Sequence, residues 1–252
     1  MSKKEGMRRF RPEDLAEIRR ATFVRTVEHH ETIPSTNDRA IILAKSPSVD
    51  MPAIVLTDRQ SAGRGRGENQ WWAAEGSLTF SLVLNQTDVR PSEPISLIVG
   101  LAVRAALQRL FPKLNFRLKW PNDIFLENRK VGGILVEAPA HSIDRYVIGI
   151  GINVNNSLRQ DDGDLRSTAV SLAECAGDHF DLTELLIAIL RKLRDDLAIL
   201  SCVGVKFVER WAPFCLLTGR TICVTSGSMR TTGVCCGVDR NGALLVQTTQ
   251  GI

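Results

Sequence analysis

The chain contains 252 residues, of which 44% are hydrophobic and 24% charged, a composition typical of a globular protein that buries its own core. Its 32 basic and 28 acidic residues leave a net charge of +4, which is weak evidence for nucleic-acid binding. No apolar run is long enough to span a bilayer, and the basic residues 1–11 lack the apolar stretch of a signal peptide, so we expect a cytoplasmic protein with no membrane association.

The first part of the chain predicts two helices and two strands. Residues 12–20 predict a short helix with acids in its first turn, where the helix dipole favours them. The polar residues 35–38 offer N-caps for a helix that contains the apolar residues 40–43. Residues 53–56 are typical of a buried strand, and apolar side chains alternate with polar ones over 78–85, which indicates another strand.

The middle of the chain predicts a helix followed by closely spaced strands. Apolar residues at helical spacing over 95–105, with a proline near the start and another beyond the end, indicate the helix. Residues 116–126 and 130–137 predict two strands around the polar turn 127–129, and residues 146–154 predict a further alternating strand. Strands joined by short links pair antiparallel, so we expect an α+β fold with a mixed, mostly antiparallel sheet and helices packed on it.

The last part of the chain changes from helix to short strands. Residues 181–200 predict a long helix because their leucines and isoleucines fall on one face. Residues 221–225, 233–238 and 243–248 predict strands, and Asn241-Gly242 is a strong hairpin signal. We therefore expect a large α+β domain over 1–200, which includes an N-terminal extension over 1–25. A small β-barrel-like domain would follow over 205–252 and end about one strand early.

The six cysteines predict free thiols and no metal site. They contain no C-x-x-C pair, and no histidine lies at zinc-ligand spacing. In a reducing compartment such cysteines are mostly buried thiols. The six are Cys175, Cys202, Cys215, Cys223, Cys235 and Cys236.

A loop rich in glycine and arginine is the first candidate for chemistry. In Gly63-Arg64-Gly65-Arg66-Gly67 the glycines allow close approach of a ligand, and guanidinium groups suit phosphate. The spacing matches neither the Walker loop nor the dinucleotide fingerprint, so an RNA-binding or merely flexible loop is the alternative. Trp71 and Trp72 follow closely and suggest a planar ligand.

Two further segments carry polar groups at strand ends. Lys119-Trp120-Pro121-Asn122-Asp123 is either a polar site or an ordinary turn. In the segment 130–137, Lys130 enters an apolar strand through two glycines. A flat ligand could lie against the bare glycine backbone while Lys130 reaches its carboxylate. The alternative is a bulged strand with a lysine that extends to water.

Taken together and in this order, these segments resemble the biotin–protein ligase family. The resemblance covers the chain from about residue 28 to its end. It rests on Ser35-Thr36-Asn37, on Gln60-Ser61-Ala62-Gly63-Arg64-Gly65-Arg66 with Trp71, on Lys119-Trp120-Pro121-Asn122-Asp123, on Lys130-Val131-Gly132-Gly133-Ile134-Leu135-Val136-Glu137, and on Gly149-Ile150-Gly151-Ile152-Asn153-Val154. It implies a catalytic domain like that of class II aminoacyl-tRNA synthetases, followed by an SH3-like barrel.

The resemblance also implies a reaction and the residues that perform it. ATP, with Mg²⁺, would activate biotin as biotinyl-5'-AMP, and a lysine of a biotin carboxyl-carrier domain would then accept the biotin. Catalysis would fall to Lys130, Arg66 and Asp123, with Asp123 orienting the incoming amine. The biotin site would comprise Ser35, Thr36, Asn37, Gln60, Gly63, Arg64, Lys130, Gly132 and Gly133, and the nucleotide site Arg64, Arg66, Trp71, Asn122 and Asn153.

Other functions remain open from the sequence. A lipoate–protein ligase would share the fold, but its Arg-Arg-x-x-Gly-Gly-Gly signature is absent. An RNA-binding module would leave Lys130 and Asp123 without a role and would need a more basic surface. Some members of the family carry a DNA-binding domain, and the roughly thirty residues that precede the first motif are too few for one, so we expect no DNA partner. Monomers and homodimers both occur in the family, and either state fits this sequence.

Overall fold

The computed structural model describes residues 10–86, 94–139, 145–158, 165–200, 207–249 and 251. Most of the predicted elements fall in these ranges. Cys202, the first nine residues of the predicted N-terminal extension and the predicted domain boundary near residue 205 lie outside them. The other five cysteines are free thiols, as predicted, but the expectation that most are buried is wrong, because only Cys215 and Cys235 are.

A seven-stranded sheet forms the centre of the molecule. Its order is β1-β2-β3-β7-β6-β5-β4, and only β1 and β2 run parallel to each other. The mixed, mostly antiparallel sheet is therefore confirmed. The strands are β1 (Thr26–Ile33), β2 (Ala53–Gln60), β3 (Leu78–Asn85), β4 (Phe116–Lys119), β5 (Asp123–Leu126), β6 (Arg129–Glu137) and β7 (Arg145–Ile152).

Helices cover both faces of this sheet. On one face α2 packs against β2, β3 and β7, and on the other α3 packs against α6 and the strands β4 to β6. The alternation along β2 shows why both faces are apolar: Ile54 and Leu56 enter the larger core, whereas Ala53 and Val55 pack beneath α2. The helices are α1 (Pro12–Ala21), α2 (Thr36–Ala44), α3 (Ile95–Leu110), α4 (Leu165–Thr168), α5 (Leu172–Ala176), α6 (Leu182–Leu200) and α7 (Phe207–Trp211), with a 3-10 helix at Ala212–Phe214. None of the helices in the described ranges is long and apolar enough to cross a bilayer.

The strand predicted over residues 116–126 is wrong as a single element. It is divided into β4 and β5 by a turn at Trp120, Pro121 and Asn122. Proline has no N–H to donate to a ladder, so a strand inside a sheet does not continue through it. The predicted turn at 127–129 is confirmed, because Glu127 and Asn128 both adopt positive φ, as in a two-residue hairpin turn.

The C-terminal residues form a small antiparallel sheet of three described strands. These are β8 (Thr221–Ser226), β9 (Met229–Val238) and β10 (Leu244–Gln247), in the order β10-β9-β8. β9 begins four residues earlier than predicted, because the turn at Gly227 leads directly into it. The hairpin at Asn241-Gly242 is confirmed, and Gly242 has a φ of 81°. The backbone N–H of Leu216 donates to the Leu118 carbonyl at 2.7 Å, which attaches this region to the edge strand β4.

Candidate functional site

A cavity of about 630 Å³ opens on the face of the sheet that carries α2. Its floor is β7, where Ile148, Ile150 and Ile152 enter the core while the glycines between them leave the other face bare. The structure brings most of the predicted site residues to this one cavity: Ser35, Thr36, Asn37, Gln60, Arg64, Arg66, Trp71, Asn122, Asp123, Lys130 and Gly133 all line it.

Three predicted residues lie next to the cavity and do not line it. At Gly63 a Cβ would come within 2.2 Å of the Trp71 carbonyl oxygen, so this glycine permits a tight turn. Gly132 faces the core, where a Cβ would meet the Gly151 carbonyl at 2.9 Å. Asn153 is buried, and its Oδ1 accepts from Asn156 Nδ2 at 3.1 Å.

The start of α2 places one polar end of the cavity. Ser35 caps the helix, with its Oγ accepting from the Asp38 N–H at 3.3 Å. Thr36 then reaches Gln60 of β2, whose Oε1 lies 2.7 Å from the Thr36 backbone nitrogen and 3.0 Å from its hydroxyl. Ser81 of β3 lies 2.8 Å from the Thr36 hydroxyl and 2.6 Å from Asn37 Oδ1.

The polar end has more acceptors than protons. The hydroxyls of Thr36 and Ser81 supply two protons for three oxygen–oxygen contacts, to Gln60, to Asn37 and to each other. Lone pairs on Thr36, Asn37 and Gln60, which line the cavity, therefore stay available to a ligand. A ligand N–H that points into this end would donate to them, so the arrangement favours a neutral ligand group with N–H donors.

Two glycines of β7 hold the side chains of the cavity in place. A Cβ at Gly149 would lie 2.1 Å from Asn37 Oδ1, and a Cβ at Gly151 would lie 2.3 Å from the ring of Trp71. Both side chains thus rest directly on the bare strand. Sequence reasoning gave these glycines no separate role, although the Gly-Ile-Gly-Ile alternation is the signal that predicts it.

The opposite end of the cavity is cationic. Lys130 Nζ lies 2.7 Å from Asp123 Oδ1 and 5.9 Å from the centre of a Trp71 ring. Neighbouring strands position this pair, because Asp123 begins β5 and lies opposite Gly133 of β6. Gly133 lies directly beside the pair, since a Cβ there would be in ordinary contact with both charged groups, at 3.5 Å. An ammonium paired with one carboxylate can exchange that partner for a ligand carboxylate or phosphate.

The loop rich in glycine and arginine forms a short hairpin over the cavity. Gly65 N–H donates to the Asn69 carbonyl at 2.8 Å, and Trp71 N–H donates to the Gly63 carbonyl at 2.9 Å. Asn69 also donates through Nδ2 to the Arg66 carbonyl at 2.8 Å. The loop is thus folded on itself and presents two arginines to the cavity.

Those two arginines have different surroundings. Arg64 is paired with Glu137 at 3.0 and 2.7 Å and with Asp38 at 2.8 Å, and its hydrogen bonds to Glu137 raise its pKa above the ordinary value. Arg66 lies 5.9 Å from the ring of Trp120 and makes no ion pair within the described part of the chain. Sequence reasoning missed Glu137, Asp38 and Ser81 as partners.

Trp120 connects the cavity to the C-terminal sheet. Its indole N–H donates to the carbonyl of Gly242 at 2.9 Å. The Gly242 hairpin in turn packs on the start of α3, where a Cβ at Gly242 would lie 2.4 Å from Pro94. A second, apolar cavity of about 390 Å³ lies between Trp120 and the strands β8 to β10.

Comparison with known proteins agrees with this geometry. A biotin–[acetyl-CoA-carboxylase] ligase of Paracoccus denitrificans is 30% identical over 223 residues, which cover 86% of this chain and 92% of that protein. The bifunctional ligase/repressor BirA of Bacillus subtilis is 28% identical over 89% of this chain and 70% of its own length. The structure of a biotin protein ligase from Aquifex aeolicus in complex with biotin and ATP superimposes with a TM-score of 0.77, at 30% identity, over 90% of this chain and 94% of that one.

The family assignment follows from these similarities and from the site. Residues 30–155, which contain all of the residues that line the cavity, match the biotin/lipoate A/B protein ligase family. The Paracoccus relative extends the match over most of both chains. The chain therefore belongs to the biotin/lipoate A/B protein ligase family, and within it to the biotin–protein ligases.

Proposed function

We propose that this protein activates biotin with ATP and transfers it to a lysine of a biotin carboxyl-carrier domain, as a biotin–[acetyl-CoA carboxylase] ligase that forms an amide bond. One observation carries the proposal: a single cavity has an acceptor-rich polar end at Thr36, Asn37 and Gln60 and a cationic end at Lys130 and Arg66. Biotin has the same polarity, with the two N–H groups of its ureido ring at one end and a carboxylate at the other.

In the first half-reaction a biotin carboxylate oxygen attacks the α-phosphorus of ATP. The bond from that phosphorus to the bridging oxygen of pyrophosphate breaks, and biotinyl-5'-AMP remains. Negative charge accumulates on the phosphoryl oxygens, so Lys130 and Arg66 stabilise the transition state by electrostatic attraction. We place the adenine beside Trp71, with Asn122 and Asn153 nearby.

In the second half-reaction the ε-amine of the acceptor lysine attacks the carbonyl carbon of the adenylate. The amide bond forms, AMP leaves, and the amine loses a proton. Asp123 is the carboxylate at the cationic end, 2.7 Å from Lys130, and we assign it to orient the amine and accept that proton.

Mg²⁺ fits this site as part of the nucleotide substrate. Within the described ranges no three His, Cys, Asp or Glu side chains lie close enough to hold a metal ion. Magnesium keeps much of its water shell and binds readily to phosphate oxygens, so we expect it to enter with ATP and to offset phosphate charge there.

A lipoate ligase is the less supported alternative. The lipoyl ring contains two sulfur atoms and no N–H donor. It would offer no donor to the acceptors at the polar end, which the ureido N–H groups of biotin would engage.

The cellular compartment and the partners of the enzyme are part of the proposal. We expect a cytoplasmic enzyme, because its described cysteines are free and its carrier substrate belongs to a biotin-dependent carboxylase. We expect no DNA partner and no membrane association.

A labelling experiment tests the proposal. Purified protein is incubated with biotin, ATP, Mg²⁺ and a biotin carboxyl-carrier domain. The molecular mass of the carrier is then measured by mass spectrometry. We expect the mass of the carrier to increase by one biotinyl group, and no increase when its acceptor lysine is replaced by arginine. Labelling with lipoate and none with biotin would contradict the proposal.

A further inference from the structure

Arg64 is surrounded by more negative charge than it carries. Its guanidinium donates to both oxygens of Glu137, at 3.0 and 2.7 Å, and pairs with Asp38 at 2.8 Å. One cation between two carboxylates leaves the group with a net negative charge. Such a group repels phosphate, so of the two sites to which the resemblance assigned Arg64, biotin and nucleotide, the nucleotide site does not suit it.

Glu137 also fixes the amide of Asn37. Its Oε2 accepts from Asn37 Nδ2 at 2.7 Å, while the other end of the amide, Oδ1, lies 2.6 Å from the Ser81 hydroxyl. A carboxylate only accepts hydrogen bonds, so it holds the Nδ2 side of the amide toward itself and the Oδ1 side toward Ser81. The amide therefore cannot flip without losing a charge-assisted hydrogen bond.

The position of Glu137 makes its action indirect. It ends β6 and does not line the cavity, whereas Asn37 does. Arg64 orients Glu137 by a two-point contact, and this contact spans from the loop that covers the cavity to the sheet. The path from Arg64 through Glu137 to Asn37 leads to the polar end of the cavity and away from the cationic end.

We infer that Glu137 is a positioning residue for the ureido end of biotin, and that Arg64 supports Glu137 and is not a phosphate ligand. The two arginines of the loop then have separate roles: Arg64 fixes the biotin-binding end, and Arg66 serves the phosphate together with Lys130. This inference rests on the proposed function, and it adds a division of labour that the motif does not state.

The test is the split between the two substrates in initial-rate kinetics of adenylate formation. Glu137→Gln keeps the shape of the side chain and removes its charge. We expect it to raise the KM for biotin about tenfold to 100-fold, as for a lost charge-assisted hydrogen bond, while kcat and the KM for ATP change less than about threefold. Arg64→Met should show the same pattern.

Two controls separate positioning from a general structural effect. Asp38→Asn removes the other carboxylate from Arg64 and leaves Glu137 on Asn37, so the KM for biotin should change less than about threefold. In an Asn37→Ala background, Glu137→Gln should raise the KM for biotin by less than a further factor of about two. The reason is that both substitutions would remove the same contact.

The inference is overturned if Glu137→Gln leaves the KM for biotin unchanged, or if Arg64→Met raises the KM for ATP more than that for biotin. Calorimetric titration with biotin alone measures the Kd for biotin without turnover, and this Kd should change as the KM does. Circular dichroism shows whether each variant folds. If Glu137→Gln does not fold, Arg64→Met decides. Failure of the proposed function is distinguishable, because the unsubstituted protein itself would then neither bind biotin nor form the adenylate.

Discussion

We expect the first half-reaction to depend more on Lys130 than on any other residue of the site. Its ammonium lies at the cationic end of the cavity, 2.7 Å from Asp123. We expect Lys130→Ala to slow adenylate formation by about 100-fold or more, since one donor to a developing oxyanion contributes roughly 2.7–4 kcal/mol. The rate is measured by biotin-dependent exchange of pyrophosphate into ATP, with the exposed Lys113→Ala as the control. A decrease of less than about tenfold would mean that Lys130 only extends to water.

We expect Arg66 to act more on retention of the adenylate than on its synthesis. It belongs to a hairpin loop and makes no ion pair within the described residues, and its guanidinium lies 5.9 Å from the centre of the Trp120 ring. We expect Arg66→Gly to release biotinyl-AMP about tenfold faster or more, because a guanidinium–phosphate contact is lost, and to affect synthesis less. Dissociation of the adenylate and labelling of a bystander such as albumin are measured together. Unchanged dissociation without bystander labelling would remove Arg66 from the site.

Gly151 controls the position of Trp71. A Cβ at this residue would lie 2.3 Å from the indole, so Gly151→Ala must displace the ring. We expect the KM for ATP to rise by about threefold to tenfold, as for a lost stacking contact. Gly100→Ala is the matched control, because its Cβ would meet side chains at 3.5 Å, an ordinary contact, inside α3. If Gly151→Ala left the KM for ATP unchanged, adenine would not bind beside Trp71.

The residues that sequence reasoning found and missed differ in a physical way. The motif residues carry their chemistry in their own side chains, so type and spacing were enough to single them out. The contacts of Ser81 and Gly149 depend on the register of β3 against β7, which places the two residues directly opposite each other. Spacing along the chain does not encode such a register, and Glu137 was missed as a partner for the same reason.

At the scale of elements, helices with long apolar patterns were predicted correctly, whereas short elements and an exposed strand were missed. The helices α3 and α6 have continuous apolar faces, and both were found. β1 was missed because it is an edge strand in which none of the eight residues is fully buried. Its sequence therefore lacks the alternation of apolar and polar residues that indicates a strand. The short helices α4, α5 and α7 were missed because five residues or fewer carry too little periodicity.

An ion pair connects the edge strand β1 to α2. Glu28 accepts from Arg39 at 2.6 and 2.9 Å, and these hydrogen bonds lower the pKa of its carboxyl below the ordinary value. A lowered folded-state pKa stabilises the fold above the ordinary glutamate pKa, and the stabilisation is lost as the pH falls through the lowered value. We expect Glu28→Gln to cost about 0.5–1 kcal/mol of unfolding free energy at neutral pH, since the pair is partly exposed, and nothing in acid.

Urea unfolding at several pH values measures this difference. Glu13→Gln is the control, because Glu13 pairs with Arg11 on the surface, where both side chains are more than half exposed. A cost for Glu28→Gln that persisted unchanged below the lowered pKa would show that shape, and not charge, stabilises the contact.

At the scale of the whole molecule, the N-terminal helix belongs to the main body. In α1, Ile18 is fully buried, and the helix packs against α6 and β1. Arg191 of α6 also donates to the Ala21 carbonyl at 2.9 Å. We expect Ile18→Ala to lower the unfolding free energy by about 2–5 kcal/mol, while the neighbouring exposed Glu17→Ala changes it by less than about 0.5 kcal/mol. Equal small effects in urea unfolding would mean that α1 contributes little to the core.

The hydrogen bond from Trp120 to Gly242 also gives the molecule an optical property. Trp120 and Trp71 line the main cavity, whereas Trp211 is buried far down in the core. Indole emission shifts with the polarity and hydrogen bonding around the ring. Two of the four tryptophans therefore respond to whatever fills the cavity, and Trp120 responds as well to any displacement of the C-terminal hairpin. Occupancy of the site and movement of the small sheet are consequently recorded in the native fluorescence, without an attached dye.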